Sequence, residues 1–210
     1  MLIALLTSPT AARLSMMKMM KTRMTAMVCT VAACVAVSAC GGDGIGAGES
    51  FSDSAKAAAI VQDFADHVVV PTYQLLDTRA GALKTAIETL QGDATDLNLQ
   101  AAQAAWVATR EPWEQSEGFL FGPVDANGFD PALDSWPVNR TDLDAVLGST
   151  DTLTPTFVAN LETTLQGFHT AEYLLFGTGN NKIAADLTVR ELEYLVAVVS
   201  IMADAAEQLA

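Results

Sequence analysis

His169 and Glu172 stand three residues apart in Gly167-Phe168-His169-Thr170-Ala171-Glu172-Tyr173-Leu174-Leu175-Phe176-Gly177. On a helix that spacing points imidazole and carboxylate the same way, and both are usable metal ligands. The residues around them are strongly apolar, so the pair is expected to be partly buried. Buried, it needs partners: each other, a metal or another polar group. A plain hydrogen-bonded pair is the bland reading, and HxxE by itself does not exclude it. His67, the other histidine, follows Asp66 in a first helix and reads as a surface or capping residue.

More polar residues lie on an aromatic stripe upstream. Arg110, Glu114 and Glu117 follow Trp106 at spacings of four, eight and eleven, which gives an i,i+4 and an i,i+3 pair on one helix. A solvated charged face would explain them. Against it, Trp113 lies between them and Phe119-Leu120-Phe121 follows directly. Asp134 sits in Leu133-Asp134-Ser135-Trp136-Pro137, a stiff aromatic loop. A merely solubilising charge is odd there, although an Asx-turn would account for it.

Several chemistries are absent by motif. The chain has no HExxH, the spacing that puts two imidazoles and a base on one helix face. It has no Glu-x-x-His pair of the kind a di-iron bundle uses. It has no CxxCH, which weakens haem ligation by His169 or His67.

The elements that must position these residues read as helices. Apolar residues recur at helical spacing from Ser54 to about Leu90, through Val61, Phe64, Val68, Leu76, Leu83 and Ile87. Pro71 should kink or split that stretch. A second helix is expected from an Asp96 N-cap to about Phe121, with Leu99, Trp106, Trp113 and Leu120 on one face and Pro112 inside it. Residues 122–140, punctuated by Gly122-Pro123, Asn127-Gly128, Pro131 and Pro137, read as an ordered loop. Thr154-Pro155 should start a helix towards Leu165, and Gly167–Phe176 a short apolar one closed by Gly177. Thr188 and Glu191 form a capping box ahead of a stripe of Leu192, Leu195, Val199, Met202, Ala206 and Leu209. Nothing alternates at period two, so the class is all-α, an up-and-down helical bundle. The stripe still runs at Ala210, which points to a missing partner helix, supplied by a dimer partner or by a C-terminal half.

Ahead of this body lies an address. Residues 1–40 hold four basic residues, no acidic one and all three cysteines. Lys18, Lys21 and Arg23 precede an apolar run from Met24 to Ala39, shorter than the roughly 20 residues a transmembrane helix needs and suited to a secretory signal. The run ends in Val37-Ser38-Ala39-Cys40-Gly41-Gly42, which resembles a bacterial lipobox with Cys40 as the lipidated residue. The true start is one of Met16, Met17, Met19 or Met20 as readily as Met1. Residues 41–51 are a glycine-rich tether, and the domain is expected over 52–210. Residues 41–210 carry 7 basic and 25 acidic residues, a formal charge of −18. Nucleic acid is not a partner for such a body. With no cysteine beyond 40, neither is it a disulfide-stapled fold.

The GxHxxE signature at Gly167, His169 and Glu172 resembles that of the imelysin-like family. Val70-Pro71-Thr72-Tyr73, the stretch Trp106 to Pro123, Leu133 to Pro137 and Glu191 to Leu195 resemble further parts of that family in the same order. The resemblance implies two bundle-like halves with the signature near their interface, this chain holding the first half and being C-terminally truncated. It implies a metal site of His169, Glu172, Glu117 and Asp134, with Glu114 able to replace Glu117 and Arg110 orienting a carboxylate from outside. One nitrogen and three oxygens suit iron, zinc or copper, and the family points to iron. The implied role is a lipid-anchored periplasmic protein, held by Cys40 at the outer membrane, that binds iron, another metal or a chelate and works with other iron-uptake components. Gly41 after the cysteine fits outer-membrane sorting. The alternative is a metallopeptidase of the imelysin type, which would need a polarised water and a general base.

Overall fold

The computed structural model describes residues 54–210. The leader 1–40 with its Cys40, and the tether 41–51, lie outside the described residues. Every regular element among the described residues is helical, the all-α class expected, and none of their helices is long and apolar enough to cross a membrane.

Helix α1 (Ser54–Phe64) runs through a π-helical turn (Ala65–Val69) into α2 (Val70–Gly92). Proline lacks an N–H and its ring crowds the carbonyl four residues back. The wider turn just before Pro71 accommodates both, so the expected interruption takes the form of a π turn. The buried face of α2 is Tyr73, Leu76, Ala80, Leu83, Ile87 and Leu90, at alternating steps of three and four.

Helix α3 (Asp96–Ser116) is capped by Thr95, whose hydroxyl accepts the Asn98 N–H at 3.3 Å. The cap is therefore one residue earlier than the sequence suggests. Asp96, free of that duty, accepts the Ala184 N–H at 2.8 Å and ties down the loop before the last helix. Helix α3 also ends earlier than expected, passing at Ser116 into a 3-10 turn, Glu117–Phe119.

Two short helices, α4 (Pro123–Ala126) and α5 (Phe129–Asp134), replace the loop expected over 122–140, and α6 (Arg140–Leu147) follows behind an Asn139 cap. Gly122 and Gly128, at φ of 73° and 69°, make the turns that start α4 and α5. Helix α7 (Pro155–Ala159) has the expected Thr154 cap but stops well short of Leu165, where a 3-10 turn (Thr163–Leu165) takes over. Helix α8 (Gly167–Phe176) ends at Gly177, and α9 (Val189–Leu209) starts on the complete Thr188–Glu191 capping box, both as expected.

Helix α2 packs along both α3 and α9, while α8 lies on α3 and α9. The α9 stripe of Leu192, Leu195, Val199, Met202 and Ala206 is buried, and so are Tyr194, Ala197 and Val198 beside it. One stripe is thus too narrow a description, because α9 is covered by α2 on one side and by α7 and α8 on another. The stripe is covered within the chain as far as Ala206, while Leu209 at its end is only partly buried and lines an apolar cavity with residues of α1 and α2. In contrast, α1 buries no residue.

Candidate metal centre

Helix α8 is seated by its first residue, a glycine. Gly167 has φ of 71°, and a Cβ there would lie 2.6 Å from the Leu133 carbonyl carbon and closer still to its oxygen. Only glycine lets α8 begin against the end of α5. The next residue along α5 is Asp134, and the close approach brings its carboxylate to His169, with Nε2 to Oδ1 at 3.0 Å.

Three groups converge on Asp134, whose side chain is 10% exposed. Arg110 donates to Oδ1 through Nη1, and the buried Trp113 indole donates to Oδ2 at 2.8 Å. His169 supplies the third contact. Both Arg110 and Trp113 come from the α3 aromatic stripe, which also meets α8 directly: Trp106 donates to the Phe168 carbonyl at 3.0 Å, and the Phe168 ring lies 5.1 Å below the Arg110 guanidinium.

Arg110 joins a second carboxylate, with Nε 2.5 Å from Glu114 Oε1. Burial alone would lower the Arg110 guanidinium, but the hydrogen bonds and charges of Asp134 and Glu114 outweigh it and hold it above the usual arginine range. Glu117, on the 3-10 turn after α3, completes an acidic cluster. Ligand oxygens of Glu114, Glu117 and Asp134 all lie within 4.8 Å of one another.

Glu172 lies on another side. Its Oε2 is 3.0 Å from His169 Nδ1, so the imidazole is gripped at both nitrogens, by Glu172 and by Asp134. A neutral imidazole has one donor and one acceptor nitrogen. Both bonds together therefore need a proton on each nitrogen, and a ligand role for Nε2 needs Asp134 to turn away.

Of the residues singled out in the sequence, Arg110, Glu114, Glu117, Asp134, His169 and Glu172 all fall in this neighbourhood, around Asp134 and His169. Glu172 reaches it only through the imidazole. His67 stands apart and exposed, its Nδ1 3.0 Å from the Asp63 carbonyl one turn back. Two contacts went unforeseen: the Trp113 indole on Asp134, and the Trp136 ring, whose centroid lies 4.7 Å from that of His169. The aromatic surroundings of Asp134 were the available signal for both.

The imelysin family model (peptidase M75) matches residues 69–210. Iron-regulated protein A of Synechococcus elongatus is 38% identical over 136 residues, which is 65% of this chain and 35% of that protein. Among solved structures, an iron-regulated protein A precursor from Parabacteroides distasonis superposes with a TM-score of 0.67 at 33% identity, over 72% of this chain and 43% of that one. An imelysin-like protein from Psychrobacter arcticum, 19% identical, shares the fold with a TM-score of 0.64 over 72% and 48% of the two chains. The chain thus spans about a third of the curated relative's length and under half of each solved one.

Proposed function

This chain belongs to the imelysin family, and from that premise we propose that it binds iron or another metal, free or chelated, as part of bacterial iron uptake. The names of the relatives from Synechococcus elongatus and Parabacteroides distasonis, iron-regulated protein A, support the link to iron. The observation that carries the reading is Asp134, at once a member of the acidic cluster and the partner of His169.

The donors fit such an ion in type. Glu114, Glu117 and Asp134 bring three negative charges into a small space, and a hard cation relieves their repulsion. In this reading those carboxylates hold the ion, and His169 Nε2 adds a nitrogen once Asp134 Oδ1 has turned from it to the ion. Glu172, by accepting from Nδ1–H, selects the tautomer that leaves the Nε2 lone pair available. Its Oε1 takes no part in that bond. Arg110 limits how far Asp134 and Glu114 move. When bound, iron supplies positive charge beyond that of Arg110, which already pairs with Asp134 and Glu114.

The test is calorimetry on the full chain, stripped with chelator and titrated with iron, zinc and copper salts. Asp134→Asn keeps the shape and removes the shared charge, so affinity should fall at least about tenfold, as it should for His169→Ala. Wild-type affinity in both variants would overturn the reading. Chelator-sensitive cleavage of an unfolded protein by the metal-loaded chain would favour the peptidase alternative instead.

We place the protein in the periplasm, anchored to the outer membrane through a lipidated Cys40, on the strength of the signal-like leader and lipobox. Metabolic labelling with a fatty acid should vanish in Cys40→Ala, and labelling that persists there would exclude this anchor.

A further inference from the structure

A cavity of about 610 Å3 opens beside His169 and Glu172, and its walls include none of Glu114, Glu117 and Asp134. Four aromatic side chains line it: Trp106, Trp136, Tyr173 and Phe176. Trp136 is 71% exposed, a large apolar ring left in water and steadied edge-on by the His169 imidazole. An exposed indole at a cavity mouth is the kind of surface that ligand rings stack on.

Two polar groups mark opposite chemistry in the same cavity. Arg140, in the first turn of α6, lines it with its guanidinium 5.7 Å from the Tyr173 ring centroid. Among the described residues no carboxylate pairs with Arg140, Arg79 or Lys84, whereas Arg110, Lys182 and Arg190 each have one. In a strongly acidic body, a guanidinium left to an aromatic cavity is suited to an incoming anion. Glu172, 42% exposed, is the other group, and its hydrogen bond to His169 uses only Oε2.

We propose that this cavity binds a small aryl acid carrying a ring hydroxyl, of the hydroxybenzoate class. Its ring stacks between Trp136 and Tyr173, its carboxylate pairs with Arg140, and its hydroxyl donates to Glu172. Other classes match less of the cavity. A cationic aromatic meets Arg140 with like charge, a plain anion offers Glu172 no donor, and an apolar ring offers a partner to neither group. The volume falls in the range of about 300–1,000 Å3 usual for small-ligand sites. Although the cavity shares His169 and Glu172 with the metal reading, it does not rest on it, because Arg140 and Trp136 belong to the cavity alone.

4-Hydroxybenzoate, whose hydroxyl lies too far from its own carboxylate to bond to it, is the probe, titrated into the full chain in chelator-treated buffer and followed by tryptophan fluorescence and calorimetry. Saturable binding is expected, with Arg140→Ala and Trp136→Ala each about tenfold weaker. Both positions are exposed, so an unchanged circular dichroism spectrum verifies that the variants are folded. Cyclohexanecarboxylate, which has the acid without the aromatic ring, should bind more weakly than 4-hydroxybenzoate. The proposal is overturned by no saturable signal at millimolar 4-hydroxybenzoate, by equal affinity in Arg140→Ala, or by equal affinity for the two acids. Iron binding should persist in Arg140→Ala and 4-hydroxybenzoate binding in Asp134→Asn. A wild-type chain that binds 4-hydroxybenzoate but no iron would thus count against the metal reading and leave this one standing.

Discussion

A missing side chain decides how closely His169 approaches Asp134. At Gly167 the backbone is left-handed and the Leu133 carbonyl fills the place a Cβ would take. Gly167→Ala therefore meets backbone strain and a backbone clash together, each costing about 1–3 kcal/mol. We expect a loss of at least about 2 kcal/mol in urea denaturation, together with weaker iron binding as α8 moves off α5. A variant as stable as wild type would show that the two helices can separate freely. The sequence made His169 and Glu172 legible because their relation is local, one helical turn. It could not give the reason for Gly167, which lies in the backbone of a residue far away in the chain. Asp134 stood out by its aromatic setting, yet its three partners come from α3 and α8, and only the folded chain brings them together.

At the scale of elements, the start of α9 is where pH should act. Glu191 closes the capping box with Thr188 and also accepts from Lys182 at 2.6 Å, both side chains being largely buried. Burial alone would raise its carboxyl, but Lys182 and Thr188 outweigh burial and hold it below the usual glutamate value. A carboxyl depressed in the folded state stabilises the protein above the unfolded-state value and loses that contribution as pH falls. Stability should therefore decline from about pH 4.3 downwards, and Lys182→Met should make the decline shallower as well as lowering stability at neutral pH. Denaturation curves across that range measure both effects. Helix α1 offers a different test. It buries nothing, so its amides should exchange with deuterium far faster than those of α2 and α9, whose stripes form the core. Those long helices were legible because a stripe sustained over five turns has one reading. The helices α4 and α5 were not. Segments this short have almost no helical stability of their own, and their glycines and prolines, read as loop signals, turned out to mark helix starts.

For the whole molecule the governing quantity is the imbalance of 25 acidic against 7 basic residues over 41–210. Ion pairs such as Lys182–Glu191 use up part of the basic complement, and 7 basic residues are too few to pair most of the 25 carboxylates. Compaction brings those charges together, and self-repulsion then opposes folding. Raising salt from about 0.01 M to 0.15 M shortens the screening length from about 30 Å to 8 Å. The repulsion acts over long distances and is screened strongly, whereas the partly buried pairs around Arg110 and Glu191 are screened much less. The thermal midpoint should therefore rise with sodium chloride. A metal held at Glu114, Glu117 and Asp134 would add to that rise at concentrations too low to screen anything, and Asp134→Asn should remove the added part while leaving the salt effect intact. A midpoint that falls with salt would mean that attraction within the pairs outweighs the net charge.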